Sequence, residues 1–161
     1  MDFAARGDLL SYCRLRGPLE EFHAQHLFRQ IVDGLDYLHK MKIIHRDLKC
    51  ENILLGASNR CLIADFGFAR VLREDEVSQT FCGSAAYAAP ELLRGVKYSS
   101  FSSDIWSLGC ILFVMLCHRM PFRDDTVAML IKDQVNSSNL TPKNFRLKYI
   151  IFLEKSAAHS R

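Results

Sequence analysis

The sequence lacks the features that mark several large classes of protein. None of its six cysteines forms a C-x-x-C pair and several lie in apolar runs, which argues against a zinc site or a disulfide framework. The longest apolar stretch, residues 105–117, is shorter than the roughly 18 residues that a membrane span needs. The first residues are acidic early and too short in apolar length for a signal peptide. We therefore expect reduced thiols, no membrane partner and a cytoplasmic location.

Charge and composition are those of an ordinary globular domain. The 161 residues are 49% hydrophobic and 24% charged, which excludes the compositions typical of disordered chains. A formal net charge of +3 neither requires nor excludes an acidic partner, and we expect no nucleic-acid binding. A chain of this length is large enough to bury one hydrophobic core.

The most informative part of the chain is a group of polar side chains between short apolar runs. Residues 53–55 and 61–64 predict two short buried strands, and the turn formers between them predict a hairpin. Such a hairpin would place Asn52 at its start and Asp65 at its end, close together. Oxygen ligands of this kind suit Mg²⁺ bound together with phosphate oxygens. Asp47, slightly upstream, could hold a substrate hydroxyl and take its proton.

Three motifs in this order resemble the signature of the eukaryotic protein kinases. They are H-R-D-L-K-C-E-N at residues 45–52, D-F-G at residues 65–67 and A-P-E at residues 89–91. Leucine and lysine directly after the first aspartate resemble the serine/threonine type. In local detail, D-L-K-C-E-N and T-F-C-G-S most resemble the testis-specific serine/threonine kinases of the calcium/calmodulin-dependent-like group.

The resemblance implies a fold class and the boundaries of the domain in this chain. We expect an α+β, mainly α-helical fold, namely the C-terminal lobe of the protein kinase-like fold, truncated at both ends. Residues 1–136 would be the hinge and most of that lobe, with no glycine-rich loop, strand lysine or helix glutamate before them. Residues 137–161 form a tail that does not match the family, either a frameshifted or intron-derived end or a divergent helix.

The resemblance also implies ATP and Mg²⁺ as cofactors and a protein as the substrate. Asp47 would be the base that orients the substrate hydroxyl, and Lys49 would stabilise the charge of the transferring phosphoryl group. Asn52 and Asp65 would hold Mg²⁺.

Six residues would contact ATP in the family arrangement. Met1 would be the gatekeeper side chain, and the backbone of Asp2 and Ala4 would face the adenine. Asp8 and Glu51 would contact the ribose, and Leu54 would contact the adenine face. Asp8 could instead cap a helix, and Leu54 would be buried in the core of any fold, so a purely structural role for each of these two residues stays open.

Regulation is expected in the activation segment, residues 68–87. Thr80 matches the phosphorylation position of related kinases, so an upstream activating kinase is an expected partner. Arg46 resembles the arginine that pairs with the added phosphate and orders the segment. Ser84 is either an alternative acceptor or a residue that binds backbone in a turn.

Two acidic residues are expected to have structural roles. Asp104 resembles the aspartate that binds the backbone of the catalytic loop, residues 45–52, from beneath. Ser103 or Asp104 could instead cap the helix that follows. Glu91 resembles a glutamate that normally pairs with an arginine, which has no counterpart here.

Three helices are predicted from apolar periodicity. Residues 19–40 form a long amphipathic helix, in which Gly34 suggests close packing against a neighbouring element. Residues 102–116 are apolar nearly all round, as in a fully buried helix. Residues 124–135 form a shorter amphipathic helix.

Two functions from different classes remain after this reading. The first is a serine/threonine protein kinase that uses Mg-ATP, with a role in spermatogenesis suggested by the resemblance. The second is a catalytically inactive fragment that acts as a binding or regulatory module. Because the apolar surface that a small lobe covers would be exposed, a chaperone is a further expected partner.

Overall fold

A computed structural model of the chain describes residues 6–72, 83–96 and 100–135. Three of the expected nucleotide contacts, the expected phosphorylation site and the tail lie outside these residues. They are Met1, Asp2, Ala4, Thr80 and residues 137–161.

Within the described ranges the chain is mainly helical, with four short strands. The helices are α1 (Leu9–Arg16), α2 (Glu21–Lys40), α3 (Pro90–Leu93), α4 (Ser100–Cys117) and α5 (Val127–Val135). The strands are β1 (Ile43–Ile44), β2 (Ile53–Leu55), β3 (Cys61–Ile63) and β4 (Arg70–Val71).

The predicted hairpin is present. Strands β2 and β3 pair antiparallel, with Ile53 opposite Ile63 and Leu55 opposite Cys61. Strand β1 pairs separately with β4. The turn between β2 and β3 is held by Gln30 of α2, whose side chain donates to the Asn59 carbonyl at 3.0 Å. The hairpin is thereby fastened to the long helix, and the residues before and after it have fixed positions.

Helix α2 is the central element of the hydrophobic core. It packs against β3 and against α4, and its side chains Phe28 and Ile31 are fully buried. The close packing expected at Gly34 is confirmed, because a Cβ atom there would lie 3.2 Å from Cδ1 of Ile63. Even a methyl group at this position would require the Ile63 side chain to shift by a few tenths of an ångström.

The helix boundaries differ from the predicted ones in two places. Helix α4 already begins at Ser100, so Ser103 and Asp104 lie inside it and the capping role expected for them is wrong. Helix α5 begins at Val127 and not at residue 124, because Thr126 caps it and accepts a hydrogen bond from the Met129 amide at 3.1 Å. Side-chain capping decides such boundaries, which apolar periodicity does not define.

Two further observations concern the whole described region. The five cysteines in it, Cys13, Cys50, Cys61, Cys110 and Cys117, are free thiols. No helix in the described part of the chain is long and apolar enough to cross a membrane.

Candidate active site

Asp47 is the centre of the site. It follows β1 and is only 5% exposed, so its carboxylate needs polar partners. Oδ2 accepts a hydrogen bond from Lys49 Nζ at 2.8 Å, and Oδ1 accepts one from the Ser84 amide at 3.0 Å. Both oxygens are therefore held in fixed directions, one by the catalytic loop and one by the end of the activation segment.

Asn52 supports Asp47 from the other end of the catalytic loop. Its side-chain nitrogen donates to the Asp47 carbonyl at 2.8 Å and to Oδ2 of Asp47 at 3.2 Å. The residue ends the 3₁₀ turn Cys50–Asn52, directly before β2. Because the nitrogen is engaged, the amide oxygen is the atom of Asn52 that could ligate a metal ion.

Asp65 follows the other strand of the hairpin, as predicted. The Ala64 amide donates to the Asn52 carbonyl at 2.8 Å, so the two candidate metal ligands are attached to neighbouring backbone. Asp65 is exposed and has a positive φ of 61°, and its Oδ1 accepts a hydrogen bond from the Gly67 amide at 3.3 Å.

The donor set fits Mg²⁺ bound together with a nucleotide. Asn52 and Asp65 offer one amide and one carboxylate oxygen, and Mg²⁺ usually takes one or two carboxylates plus phosphate and water oxygens. The described residues contain no cluster of three or more His, Cys, Asp or Glu side chains that could enclose a metal by themselves. The remaining ligands would therefore come from phosphate and water.

Ser84 extends the site toward the activation segment. Lys49 Nζ donates to its hydroxyl at 3.1 Å, so a single ammonium group joins Ser84 to Asp47. The preceding Gly83 has a φ of 95°, and a Cβ atom there would lie 2.7 Å from the Arg46 carbonyl oxygen. Only glycine permits this approach. This role of Gly83 was not predicted from the sequence, and no local sequence pattern indicates it.

Asp104 lies in α4, beneath the catalytic loop, and is 1% exposed. It accepts hydrogen bonds from the backbone amides of His45 and Arg46, each at 2.9 Å. Arg46 has a positive φ of 66°, a backbone conformation that needs such support. The third partner of Asp104 is His39 Nε2, also at 2.9 Å, which the sequence analysis did not single out.

His45 links the two halves of the site. It is fully buried, and its Nε2 lies 3.0 Å from the Ala64 carbonyl oxygen, next to Asp65. The Asp47 amide lies 3.4 Å from its Nδ1. Both contacts fit the tautomer in which Nε2–H donates and Nδ1 accepts. In these contacts the ring of His45 connects the catalytic loop to the backbone next to Asp65.

Arg46 points toward the activation segment. Its Nε donates to the Phe68 carbonyl at 2.7 Å, at the start of that segment. The expected partner, a phosphate on Thr80, falls outside the described residues. Glu91 is half-buried in α3 and forms no ion pair with another described residue.

Two of the expected nucleotide contacts lie side by side. The backbone of Asp8 pairs with that of Leu54 in β2, and Leu54 is half-buried. Asp8 also caps α1, since its carboxylate accepts from the Ser11 amide at 2.8 Å and from the Ser11 hydroxyl at 2.7 Å. Burial acts to raise the pKa of Asp8, but the hydrogen bonds from Ser11 and from the backbone amides of Asp8 and Leu10 together outweigh it, so the pKa is lowered. Glu51 is exposed at the same end of the catalytic loop.

Comparison with known proteins identifies the family. The family model described as "Protein kinase domain" matches residues 1–157. The chain therefore belongs to the protein kinase family, and its fold is an α+β fold of the kinase type.

The curated relatives are serine/threonine kinases, as the resemblance predicted. Testis-specific serine/threonine-protein kinase 3 of Homo sapiens is 48% identical over 136 residues, which are 83% of this chain and 50% of the relative. Testis-specific serine/threonine-protein kinase 1 of Mus musculus is 45% identical over 139 residues, covering 83% and 38%. NUAK family SNF1-like kinase 2 of Homo sapiens is 42% identical over 142 residues, covering 88% and 23%. The chain spans half or less of the length of these relatives.

Proposed function

We propose that this chain carries the phosphoryl-transfer site of a serine/threonine protein kinase that transfers the γ-phosphoryl group of Mg-ATP to a protein hydroxyl. The observation that carries the proposal is the arrangement around Asp47, in which Lys49, Asn52 and Ser84 all contact one nearly buried carboxylate or its backbone. Phosphoryl transfer depends mainly on positioning and charge stabilisation, and this arrangement supplies both.

Each residue of the site has a defined task in this proposal. Asp47 orients the substrate hydroxyl and takes its proton. Lys49 neutralises negative charge beside the Asp47 carboxylate. Mg²⁺ bound through Asn52 and Asp65 would neutralise the negative charge of the phosphate groups. The backbone at Ser84 limits the directions from which a substrate chain approaches Asp47.

The lobe assignment and the nucleotide contacts belong to the same proposal. Residues 1–136 correspond to the hinge and most of the large lobe, and residues 137–161 to a divergent tail, of which the family model still covers the part up to residue 157. Asp8, Glu51 and Leu54 would line the ribose and adenine side, together with three residues outside the described ranges, Met1, Asp2 and Ala4. The backbone pairing of Asp8 with Leu54 supports this assignment, because two of the proposed contact residues are neighbours.

Regulation and biological setting are proposed from the relatives. An upstream kinase would phosphorylate Thr80, and Arg46 would pair with the phosphate. The names of the testis-specific relatives suggest a role in spermatogenesis, and we propose a cytoplasmic location.

The decisive experiment is nucleotide binding by the purified chain, followed as a shift in melting temperature with Mg-ATP. A folded site stabilises the protein according to the ratio of ligand concentration to Kd, by about 2.7 kcal/mol at a hundredfold excess. The shift should disappear in Asp65→Ala and persist in Asp47→Asn, which would instead abolish transfer to a protein substrate. Absence of a shift at millimolar Mg-ATP would overturn the proposal for this chain.

A second candidate function is supported by exposed apolar side chains beside the site. Phe66 and Phe68 are 47% and 44% exposed, directly after Asp65. Such a surface is typical of one that a partner covers. In this alternative the chain is a binding or regulatory module without catalytic activity, and a chaperone is among its partners. Binding of a partner that is lost in Phe66→Ser and unchanged in Asp47→Asn and Lys49→Ala would favour it.

A further inference from the structure

Gln134 is a polar side chain in a buried position near the end of α5. It is 4% exposed, and the other buried residue of this helix is the apolar Leu130. The side-chain nitrogen of Gln134 donates a hydrogen bond to the Ala88 carbonyl at 2.9 Å. Its Oε1 is also buried and has no hydrogen-bond partner among the residues that the structure describes. The amide of Gln134 is therefore only half satisfied.

The unpaired oxygen shows what glutamine contributes at this position. A buried acceptor without a partner lowers stability. With an apolar side chain in place of Gln134, Oε1 would be gone and the Ala88 carbonyl would lose its donor instead. One unpaired acceptor would replace another, so the stability of the core gains little from glutamine here. What glutamine adds is a fixed position for the Ala88 carbonyl.

Residues 84–88, which we call the 84–88 segment, are held together by their own backbone. The Tyr87 amide donates to the Ser84 carbonyl at 3.1 Å, and the Ala88 amide donates to the Ala85 carbonyl at 3.0 Å. These two overlapping hydrogen bonds span the segment from its first residue to its last. Because the segment is short and closed in this way, a displacement of Ala88 is transmitted to Ser84.

Three separate elements hold the 84–88 segment. The catalytic loop binds its start, where Oδ1 of Asp47 accepts from the Ser84 amide at 3.0 Å. Helix α4 binds its end through the Ser107 hydroxyl, which donates to the Tyr87 carbonyl at 2.9 Å. Helix α5 binds the next carbonyl through the glutamine. Two successive carbonyls are thus held by two different helices.

We propose that Gln134 is a positioning residue that fixes the end of the 84–88 segment to α5 and thereby keeps the Ser84 amide on Asp47. This inference rests on the proposed function, because the backbone at Ser84 limits the directions from which a substrate chain approaches Asp47. It gives α5 a part in the candidate active site.

The test is native-state hydrogen exchange of the Ser84 amide, measured by NMR on the full chain without nucleotide or substrate. Leu112, a buried residue of α4, serves as the internal reference for global unfolding. In Gln134→Met and in Gln134→Leu the Ser84 amide should exchange about fivefold faster, the effect of losing one hydrogen bond. The Leu112 amide should change by less than about twofold, because one unpaired buried acceptor replaces another.

Gln30→Met is a matched control. Gln30 also donates from its side-chain amide to a backbone carbonyl, that of Asn59 at 3.0 Å, but in the turn between β2 and β3. Its replacement removes a hydrogen bond of the same kind far from the 84–88 segment in sequence. The Ser84 amide should therefore not be accelerated more than the Leu112 amide.

Three results would overturn the inference. The first is a Ser84 exchange rate in Gln134→Met and Gln134→Leu that is unchanged or changes only in proportion to that of Leu112. The second is an equally selective acceleration of Ser84 in Gln30→Met. The third is a failure of both Gln134 variants to fold, which would show that the core as a whole requires this residue. The measurement needs no nucleotide, so an absent melting-temperature shift with Mg-ATP would count against the proposed function alone.

Discussion

Asp104 and His39 are 65 residues apart in sequence, and Oδ2 of Asp104 lies 2.9 Å from Nε2 of His39. The same carboxylate accepts the amides of His45 and Arg46, so the end of α2, the start of α4 and the catalytic loop meet at one buried group. The ring of Phe101 packs against His39 with ring centroids 4.7 Å apart. The position of Asp47 therefore depends on contacts well outside the candidate active site.

We expect Asp104→Ala to lower the free energy of unfolding by about 3 kcal/mol, because one buried and one partly buried backbone donor lose their acceptor. His39→Phe should lower it by only about 1 kcal/mol, because it removes one of the three donors and leaves the loop amides paired. Urea unfolding of the two variants measures both values. Asp36→Ala, which breaks the exposed pair of Asp36 with Lys40, serves as the control and should change stability by less than about 0.5 kcal/mol. Equal losses in Asp104→Ala and Asp36→Ala would contradict the anchoring role.

Gly83→Ala should be strongly destabilising, by about 2–3 kcal/mol. The added Cβ would lie 2.7 Å from the Arg46 carbonyl oxygen and 2.8 Å from Asp47 Oδ1, and the backbone φ is positive. Gly95→Ala is a matched control, since Gly95 also has a positive φ but no atom lies within 4 Å of its added Cβ. Chemical denaturation of both variants separates backbone strain, common to the two, from the steric clash at Gly83. A loss for Gly83→Ala no greater than that for Gly95→Ala would show that the close approach to the catalytic loop is unimportant.

Gly34→Ala tests the packing of α2 against the hairpin. Alanine gains about 1 kcal/mol of helix propensity over glycine, but its Cβ would lie 3.2 Å from Cδ1 of Ile63. We expect the substitution to be nearly neutral in the native chain and stabilising by about 1 kcal/mol in the background of Ile63→Val, which removes that atom. A double-mutant cycle from thermal unfolding gives the coupling between the two positions. Purely additive effects would argue against the contact.

Asp8→Ala should destabilise the chain by about 1 kcal/mol at pH 7, because α1 loses its N-terminal cap. The pKa of Asp8 in the folded protein is lowered, so its charged form contributes stability at neutral pH, which is lost as the pH falls below about 3.8. The difference between wild type and Asp8→Ala should therefore shrink between pH 5 and pH 2. Urea unfolding across this range, with Asp8→Asn as a cap without charge, provides the check. A difference that stays constant with pH would mean that the carboxylate charge is irrelevant to the cap.

Much of this protein can be predicted from its sequence because the relevant signals are local. Apolar periodicity predicted the long helix that ends at Lys40, and turn formers between two apolar runs predicted the hairpin. The starts of α4 and α5 were predicted less well, because the packing of the chain and the cap at Thr126 define where those helices begin. The family could also be predicted, since three short motifs in the right order can be recognised in the sequence without knowledge of any tertiary contact.

Only the tertiary structure shows the contacts between segments that are far apart in the chain. The bond from the Ser84 amide to Asp47 and the close approach of Gly83 to Arg46 join residues more than 30 positions apart. Neither residue type nor spacing in the sequence predicts these two contacts. They depend on how α4 and α2 pack and on the direction in which each loop leaves its helix. The sequence alone predicted the candidate side chains for the chemistry, the helices α2, α4 and α5 and the hairpin of β2 and β3. Long-range packing decided how those side chains are oriented, because burial of Asp47 and Asp104 requires hydrogen-bond donors that distant segments supply.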